Sequence, residues 1–346
     1  MRFYERLSVV AAETWLPATV ETVTEAVARG ALPEAESERV GVESLPVATE
    51  APPELAVHAG RLALSRGARP AASIGLVVHS WLHYQGHDMW SPAHFVAAQL
   101  GLDRAEAFGV FQMSNGGAAA IQVAAARLLA DPSPVRALVT TGDRFGDEGF
   151  DRWRGDYGLC YGDGGTAVLL ERTDDAGDLA RDGDLLAVGM ATAPRLEVVH
   201  RGGDPFQPAA RTLSPRVDFR RPIRGYLERC GDAELATISR AKVAEAVRVA
   251  LADAGLDERD DRITLVIPPR MNPRVLDEVY RPVLAAMLPQ ATLVDGGTRT
   301  GHLGAGDVPA GIADLCSGAM LAPGEIGAVV GVGGGFSWSC AVFRSV

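Results

Sequence analysis

Residues 107–130, AFGVFQMSNGGAAAIQVAAARLLA, hold the change of pattern that decides the fold. Ala107 to Met113 is a short apolar run that reads as a buried strand, and Gly117 to Ala130 reads as an alanine-rich helix. Between them the chain breaks at Ser114-Asn115-Gly116. A strand that turns into a helix in this way belongs to the βαβ pattern, which predicts mostly parallel, buried strands with helices on their faces.

The same grammar extends in both directions. Upstream, Ile74 to His79 reads as a strand and Ser91 to Gly101 as a helix. Downstream, Val135 to Thr141 and Thr166 to Glu171 read as strands, the second after the turn Gly162-Asp163-Gly164-Gly165. The pattern then repeats. Leu235 to Ala254 carries Ile238, Val243, Val247 and Leu251 at helical spacing and stops at Gly255. A strand (Ile263 to Ile267), a helix opened by Pro273 and running to Leu288, and a short strand (Thr292 to Asp295) follow. A glycine-rich loop, Gly296 to Asp307, leads to a helix starting near Val308-Pro309, and Ile326 to Val332 and Ser337 to Arg344 close as paired strands. This predicts an α/β fold of two similar halves, residues 1–172 and 235–346. Residues 173–234 are polar, proline-bearing and weakly periodic, and read as a connecting region that caps or lines the substrate entrance.

Composition narrows the function. The chain has 346 residues, 33 Lys+Arg against 44 Asp+Glu, and a net charge of −11, which disfavours nucleic acid. Lys242 is the single lysine. A P-loop is thereby excluded, because its lysine must follow a glycine run, and Schiff-base chemistry is disfavoured by the polar surroundings of Lys242. Cys160, Cys230, Cys316 and Cys340 show no C-x-x-C spacing, so neither a disulfide framework nor a cysteine zinc site is expected, and a reducing, cytoplasmic setting is the default. No apolar run of membrane-spanning length and no signal-peptide core is present.

Two places carry chemistry. Ser114 stands where a strand gives way to a helix, so its hydroxyl faces a positive helix terminus whose N–H groups suit an oxyanion; as a bare sequence feature it reads first as a helix N-cap, which serine commonly supplies. His302 and Asp307 share the loop Gly301-His302-Leu303-Gly304-Ala305-Gly306-Asp307. The histidine suits a general base and the carboxylate its support, while the plainer alternative makes Asp307 a cap and His302 a polar loop residue. His79, His83, His87 and His94 lack metal-ligand spacing and read as structural or tunnel-lining, so no metal is expected. The run Gly331-Val332-Gly333-Gly334-Gly335-Phe336 lies between two strands with no helix after it, which excludes a dinucleotide fingerprint.

Four segments together resemble the thiolase superfamily, and within it the ketoacyl-ACP synthase III branch. Gln112-Met113-Ser114-Asn115-Gly116 stands where the family has its cysteine nucleophile, and Tyr161-Gly162-Asp163-Gly164-Gly165-Thr166-Ala167 resembles F-G-D-G-A-G-A. Ile267-Pro268-Pro269-Arg270-Met271-Asn272 is similar to P-H-Q-A-N, and Gly333-Gly334-Gly335-Phe336-Ser337-Trp338 to G-G-G-F-T-W. The resemblance implies a layered α-β-α-β-α core and a homodimer. It also exposes three exchanges: Ser114 for the cysteine, Pro269 for the family histidine and His302 for the family asparagine. That histidine and asparagine stabilise the enolate of decarboxylated malonyl-ACP, and proline has no side-chain donor.

The residues present instead resemble the Ser-His-Asp acyltransferases of natural-product pathways. This implies Ser114 as nucleophile, His302 as base, Asp307 as its support, and the backbone N–H groups of Ser114 and Gly334 as the oxyanion hole, with direct transfer, in which His302 activates the acceptor and no acyl-serine forms, as the other route. The implied donor is an acyl-ACP or acyl-CoA thioester, with no resident cofactor, and the implied acceptor a hydroxyl or amine. Arg211, Arg216, Arg220, Arg221, Arg224 and Arg229 read as a carrier-protein docking surface or as a solvated face. A starter-unit ketosynthase and a non-catalytic acyl-binding partner are the alternatives.

Overall fold

Ten strands pair into one sheet in the computed structural model, which describes residues 1–131, 133–173, 180–317 and 320–346. They are β1 (Arg2–Trp15), β2 (Leu76–Ser80), β3 (Glu106–Val110), β4 (Arg136–Asp143), β5 (Gly164–Thr173), β6 (Gly183–Thr192), β7 (Ile263–Ile267), β8 (Thr292–Leu293), β9 (Ile326–Gly333) and β10 (Ser337–Ser345). The order across the sheet is β8-β7-β9-β10-β6-β1-β5-β4-β2-β3. It contains one motif twice. From the middle outward, β1-β5-β4-β2-β3 and β6-β10-β9-β7-β8 have the same order and the same pairing senses, two antiparallel steps and then two parallel ones. Antiparallel pairing of β1 with β6 joins the two.

The longer helices are α1 (Pro52–Gly67), α2 (Pro92–Gln99), α3 (Gly116–Ala130), α4 (Arg220–Cys230), α5 (Asp232–Ala254), α6 (Arg281–Met287) and α7 (Asp307–Cys316). α1 covers β1, β4 and β5 from outside, and α5 covers β6 and β10. α3 and α7 form the inner layer: α3 packs on β2 and β4, α7 on β1 and β9, and the two touch each other. Ala120, Ile121, Ala124 and Leu128 share one buried cluster with Val308, Ile312 and Leu315. The alanine and glycine content of α3 follows from this burial. A Cβ at Gly117 would lie 2.4 Å from the Ala305 carbonyl oxygen, so a larger residue would push α3 away from the loop before α7. The layers are α-β-α-β-α, in a thiolase-type fold.

Three readings change. Residues 173–234, taken from sequence as a cap, include the buried strand β6, and the second repeat opens there; residues 174–179 lie outside the described residues. The strand is masked in sequence by Arg181-Asp182 before it and by glycines at positions 183 and 189 within it. The strand predicted to reach Met113 stops at Val110, because Met113 takes the left-handed conformation with φ 50°. The predicted helix 273–288 is a short helical turn, a π turn over Leu276–Tyr280, and then α6.

Candidate active site

After β3 the chain turns sharply. The Asn115 N–H donates to the Gln112 carbonyl at 3.2 Å and the Gly116 N–H to the Met113 carbonyl at 3.0 Å, with strained Met113 at the corner. The N-cap of α3 is Asn115, so Ser114 lies one residue outside the helix. Its hydroxyl is spent elsewhere: Ser114 Oγ lies 2.7 Å from His302 Nε2.

His302 is held from both sides. Its N–H donates to the Cys160 carbonyl at 2.8 Å, its carbonyl accepts the Gly162 N–H at 3.0 Å, and the Tyr161 ring meets the imidazole edge-on at 5.2 Å. The loop then bends at Gly304 (φ 63°), where a Cβ would fall 2.3 Å from Asp143 Oδ2. That carboxylate accepts the backbone N–H of Ala305 at 2.9 Å, together with those of Leu82 and His83 at 2.8 Å each, and so ties the histidine loop to the end of β2. Burial pushes Asp143 up to about 7, against the pull of these three N–H groups.

Asp307 completes the line. Its Oδ2 lies 2.7 Å from His302 Nδ1, and its Oδ1 accepts the Leu303 N–H at 2.9 Å. Asp307 opens α7 but is not its cap, which is Gly306. Burial would raise the Asp307 carboxyl; the neighbouring imidazole and Arg270 outweigh it and hold the carboxyl below the usual aspartate value. Arg270 is itself buried, donating Nη1 to the Asp307 carbonyl at 3.2 Å and Nη2 to Asp314 at 3.0 Å. A hydroxyl, an imidazole and an anionic carboxylate hydrogen-bonded in sequence can withdraw a proton from the hydroxyl and hold it on the imidazole.

Ser114 and His302 line a cavity of about 240 Å³. Its walls are mainly apolar, with Met113, Phe219, Ile223, Met271, Val332 and Phe336 among them, and exposed Tyr157 and Arg274 also border it. Gly334 borders the cavity beside His200, a residue that sequence reasoning did not mark. The His200 ring packs between Phe219 and Phe336, and burial pulls its imidazole below the ordinary histidine value. Only its tertiary position distinguishes it.

Proteins similar to this chain are known. The family model for the 3-oxoacyl-[acyl-carrier-protein] synthase III C terminal matches residues 251–345. The β-ketoacyl-[acyl-carrier-protein] synthase III of Hyphomonas neptunium is 27% identical over 335 residues, covering 89% of this chain and 88% of its own. The acyltransferase ChlB3 superposes with a TM-score of 0.87 at 28% identity, over 99% of this chain and 98% of its own. This chain is synthase III-like over nearly its whole length. The synthase III of Aquifex aeolicus shares the fold, with a TM-score of 0.76 at 20% identity over 98% of this chain and 99% of its own.

Within this synthase III-like enzyme the remaining sequence candidates separate. Pro269 lines the cavity where the resemblance puts a histidine. His79 hydrogen-bonds Thr140 and Gln85 inside the core, and burial pulls it down to about 4; His83 is pulled to about 4 by burial and by Arg211. His94 contacts Ser91, and His87 packs on Trp90. No group of three His, Cys, Asp or Glu side chains suited to a metal occurs among the described residues. Residues 331–336 form the end of β9 and the turn into β10.

The arginine segment divides. Arg220 stacks on Tyr157 at 4.8 Å and donates to the Asp156 carbonyl, and Arg224 donates to the Tyr157 hydroxyl at 3.2 Å, so both touch residues that line the cavity. Arg221 is engaged by Asp204 at 2.6 and 2.9 Å. The Arg216 side chain makes no hydrogen bond or ion pair among the described residues. No described helix is long and apolar enough to cross a membrane.

Proposed function

We propose that this synthase III-like enzyme is an acyltransferase of secondary metabolism. It would move an acyl group from an acyl-carrier-protein or CoA thioester to a hydroxyl or amine of a natural-product acceptor. The hydrogen-bonded sequence Ser114 Oγ, His302, Asp307 carries the reading. A serine hydroxyl is a weak nucleophile until a base removes its proton, whereas a cysteine ionises far more readily. Exchange of the family cysteine for serine therefore requires a base at this place, and His302 has one nitrogen on the hydroxyl and the other on a carboxylate.

In the first half-reaction Ser114 Oγ attacks the thioester carbonyl while its proton passes to His302 Nε2. The carbonyl oxygen becomes an oxyanion facing the backbone N–H groups of Ser114 and Gly334. Collapse of that adduct breaks the carbon–sulfur bond, and the thiol leaves with the proton from His302. In the second half-reaction His302 takes the acceptor's proton, the acceptor attacks the acyl-serine, and the proton returns to Ser114. Asp307, anionic at neutral pH, holds the ring and balances the imidazolium in both steps. The apolar walls suit an acyl group, and Arg220 and Arg224 beside Tyr157 suit the phosphate of a pantetheine arm. The working unit in this reading is a homodimer in a reducing, cytoplasmic setting.

The test is intact mass spectrometry after incubation with a panel of acyl thioesters. An adduct of acyl mass is expected on the wild type and absent from Ser114→Ala and His302→Ala; an adduct that survives Ser114→Ala would sink the nucleophile. Sequence relatives named as ketoacyl-ACP synthases favour a second reading, starter-unit condensation with malonyl-ACP. Pro269 argues against it, since no side-chain donor meets an enolate there. Labelled carbon dioxide released from malonyl-ACP would favour condensation, and simple acyl transfer releases none.

A further inference from the structure

Asn115 follows Ser114 directly, yet its side chain reaches away from the cavity and across the molecule. It is fully buried. Its Oδ1 accepts the Ser339 hydroxyl at 2.6 Å, and its Nδ2 donates to Ser337 Oγ at 3.2 Å and lies 3.7 Å from the Met190 sulfur. Asn115 stands at the start of α3 in the first repeat, whereas these partners lie on β10 and β6 in the second.

The backbones also close up at this point. A Cβ at Gly333 would fall 2.5 Å from the Asn115 nitrogen, and one at Gly331 would fall 2.9 Å from its Oδ1. Ser114 precedes Asn115, and Gly334 follows Gly333. One side-chain amide therefore joins the elbow that carries Ser114 to the hairpin that carries Gly334.

We propose that Asn115 is a positioning residue that keeps the two halves of the oxyanion site in register across the repeats. The inference rests on the acyl-transfer reading above. An amide suits the task because it offers an acceptor and donors in one plane, so two hydroxyls with opposite roles can be held at a fixed separation. Oxyanion donors act only when already aimed at the developing charge, and a misplacement of about 1 Å can cost about 100-fold in rate. Asn115 need touch neither acyl group nor acceptor to control this.

The experiment compares Asn115→Ala, Ser339→Ala and the double variant in steady-state thioester turnover, with melting curves for each. Asn115→Ala is expected to lower kcat about 10–100-fold and to leave KM within about twofold. Ser339→Ala is expected to show a smaller loss of the same kind, and the double variant to fall no further than Asn115→Ala alone, as for residues acting through one contact. Retention of kcat within about twofold in folded Asn115→Ala, with only the melting temperature lowered, overturns the proposal, as do losses that simply add. Should Asn115→Ala fail to fold, Ser339→Ala decides: unchanged kcat overturns the proposal and reduced kcat at constant KM supports it. Wild-type protein that turns over no thioester defeats the acyl-transfer reading and this inference with it, whereas active wild type with unaffected variants defeats the inference alone.

Discussion

The Oγ of Ser114 lies 2.7 Å from Nε2 of His302, although 188 positions separate the two residues in the chain. One belongs to the turn before α3 and the other to the loop before α7, and these helices hold equivalent places in the two repeats. The site thus forms where the two inner helices begin, with one half supplying the hydroxyl and the other the imidazole.

Replacing Ser114 by cysteine should relax the dependence on that base. A thiol is partly ionised near neutral pH and an alcohol is not. In the wild type, His302→Ala is expected to lower acyl transfer about 10²–10⁴-fold, the usual contribution of a general base. In a Ser114→Cys background the same change should cost at least tenfold less, on the order of the thiol's advantage in ionisation. Single-turnover acylation rates measure both, and equal losses in the two backgrounds would refute the role given to His302.

Asp307→Asn keeps the size of the side chain but removes its charge and can reverse the hydrogen bond to His302 Nδ1. The imidazole is then no longer held with Nε2 free to accept, and kcat should fall about 10³–10⁴-fold with little change in KM. Rates of acyl transfer from CoA thioesters read this directly. A loss below tenfold would mean that His302 is oriented by its backbone bonds to Cys160 and Gly162 alone.

Asp143 predicts a pH effect on stability. Its folded value, near 7, lies above the ordinary aspartate value of about 3.9, so between these the fold keeps a proton that the unfolded chain releases. Its contribution to stability is therefore lost as pH rises through that window. Asp307 has the opposite sign: its contribution is present above about pH 3.9 and is lost as pH falls through its lower folded value. His79 and His83, held neutral by burial, add stability as pH rises between their folded values near 4 and about 6.5. The decisive measurement is thus a difference. Urea midpoints of Asp143→Asn minus wild type should climb between about pH 4 and 7, and a flat difference would contradict the buried carboxyl.

Gly334→Ala should disturb the site through His200. The added Cβ would fall 2.4 Å from His200 Nδ1, so either the ring or the backbone must move. If the backbone moves, the Gly334 N–H leaves its place and kcat drops about 10–100-fold. Adding His200→Ala makes room, and the double variant should regain much of that loss unless His200 itself serves turnover, which the single His200→Ala reports.

Much of this was legible locally. β7 runs Ile263–Ile267 in both readings, because a continuous apolar run between turn signals needs no partner to be recognised. α5 ends at Gly255 with φ 70°, as its C-terminal glycine foretells. β1 and β6 were not legible, although they join the two repeats. Charged and glycine residues break the β6 pattern, and its burial comes from pairing with β10, over a hundred positions away. Asp143, His200 and Asn115 escaped notice for a related reason, since their partners are distant in sequence.

By itself the sequence determined the two-fold α/β grammar, because residue type and local period suffice for it, and its resemblance to the synthase III branch marked Ser114 and Pro269 as the exchanged positions. Only the tertiary structure decided that Ser114 is bonded to His302 rather than capping α3, and that His302 leans on Asp307. A hydrogen bond depends on distances of a few tenths of an ångström, and those are set by how α3 and α7 pack between the layers, not by any spacing along the chain.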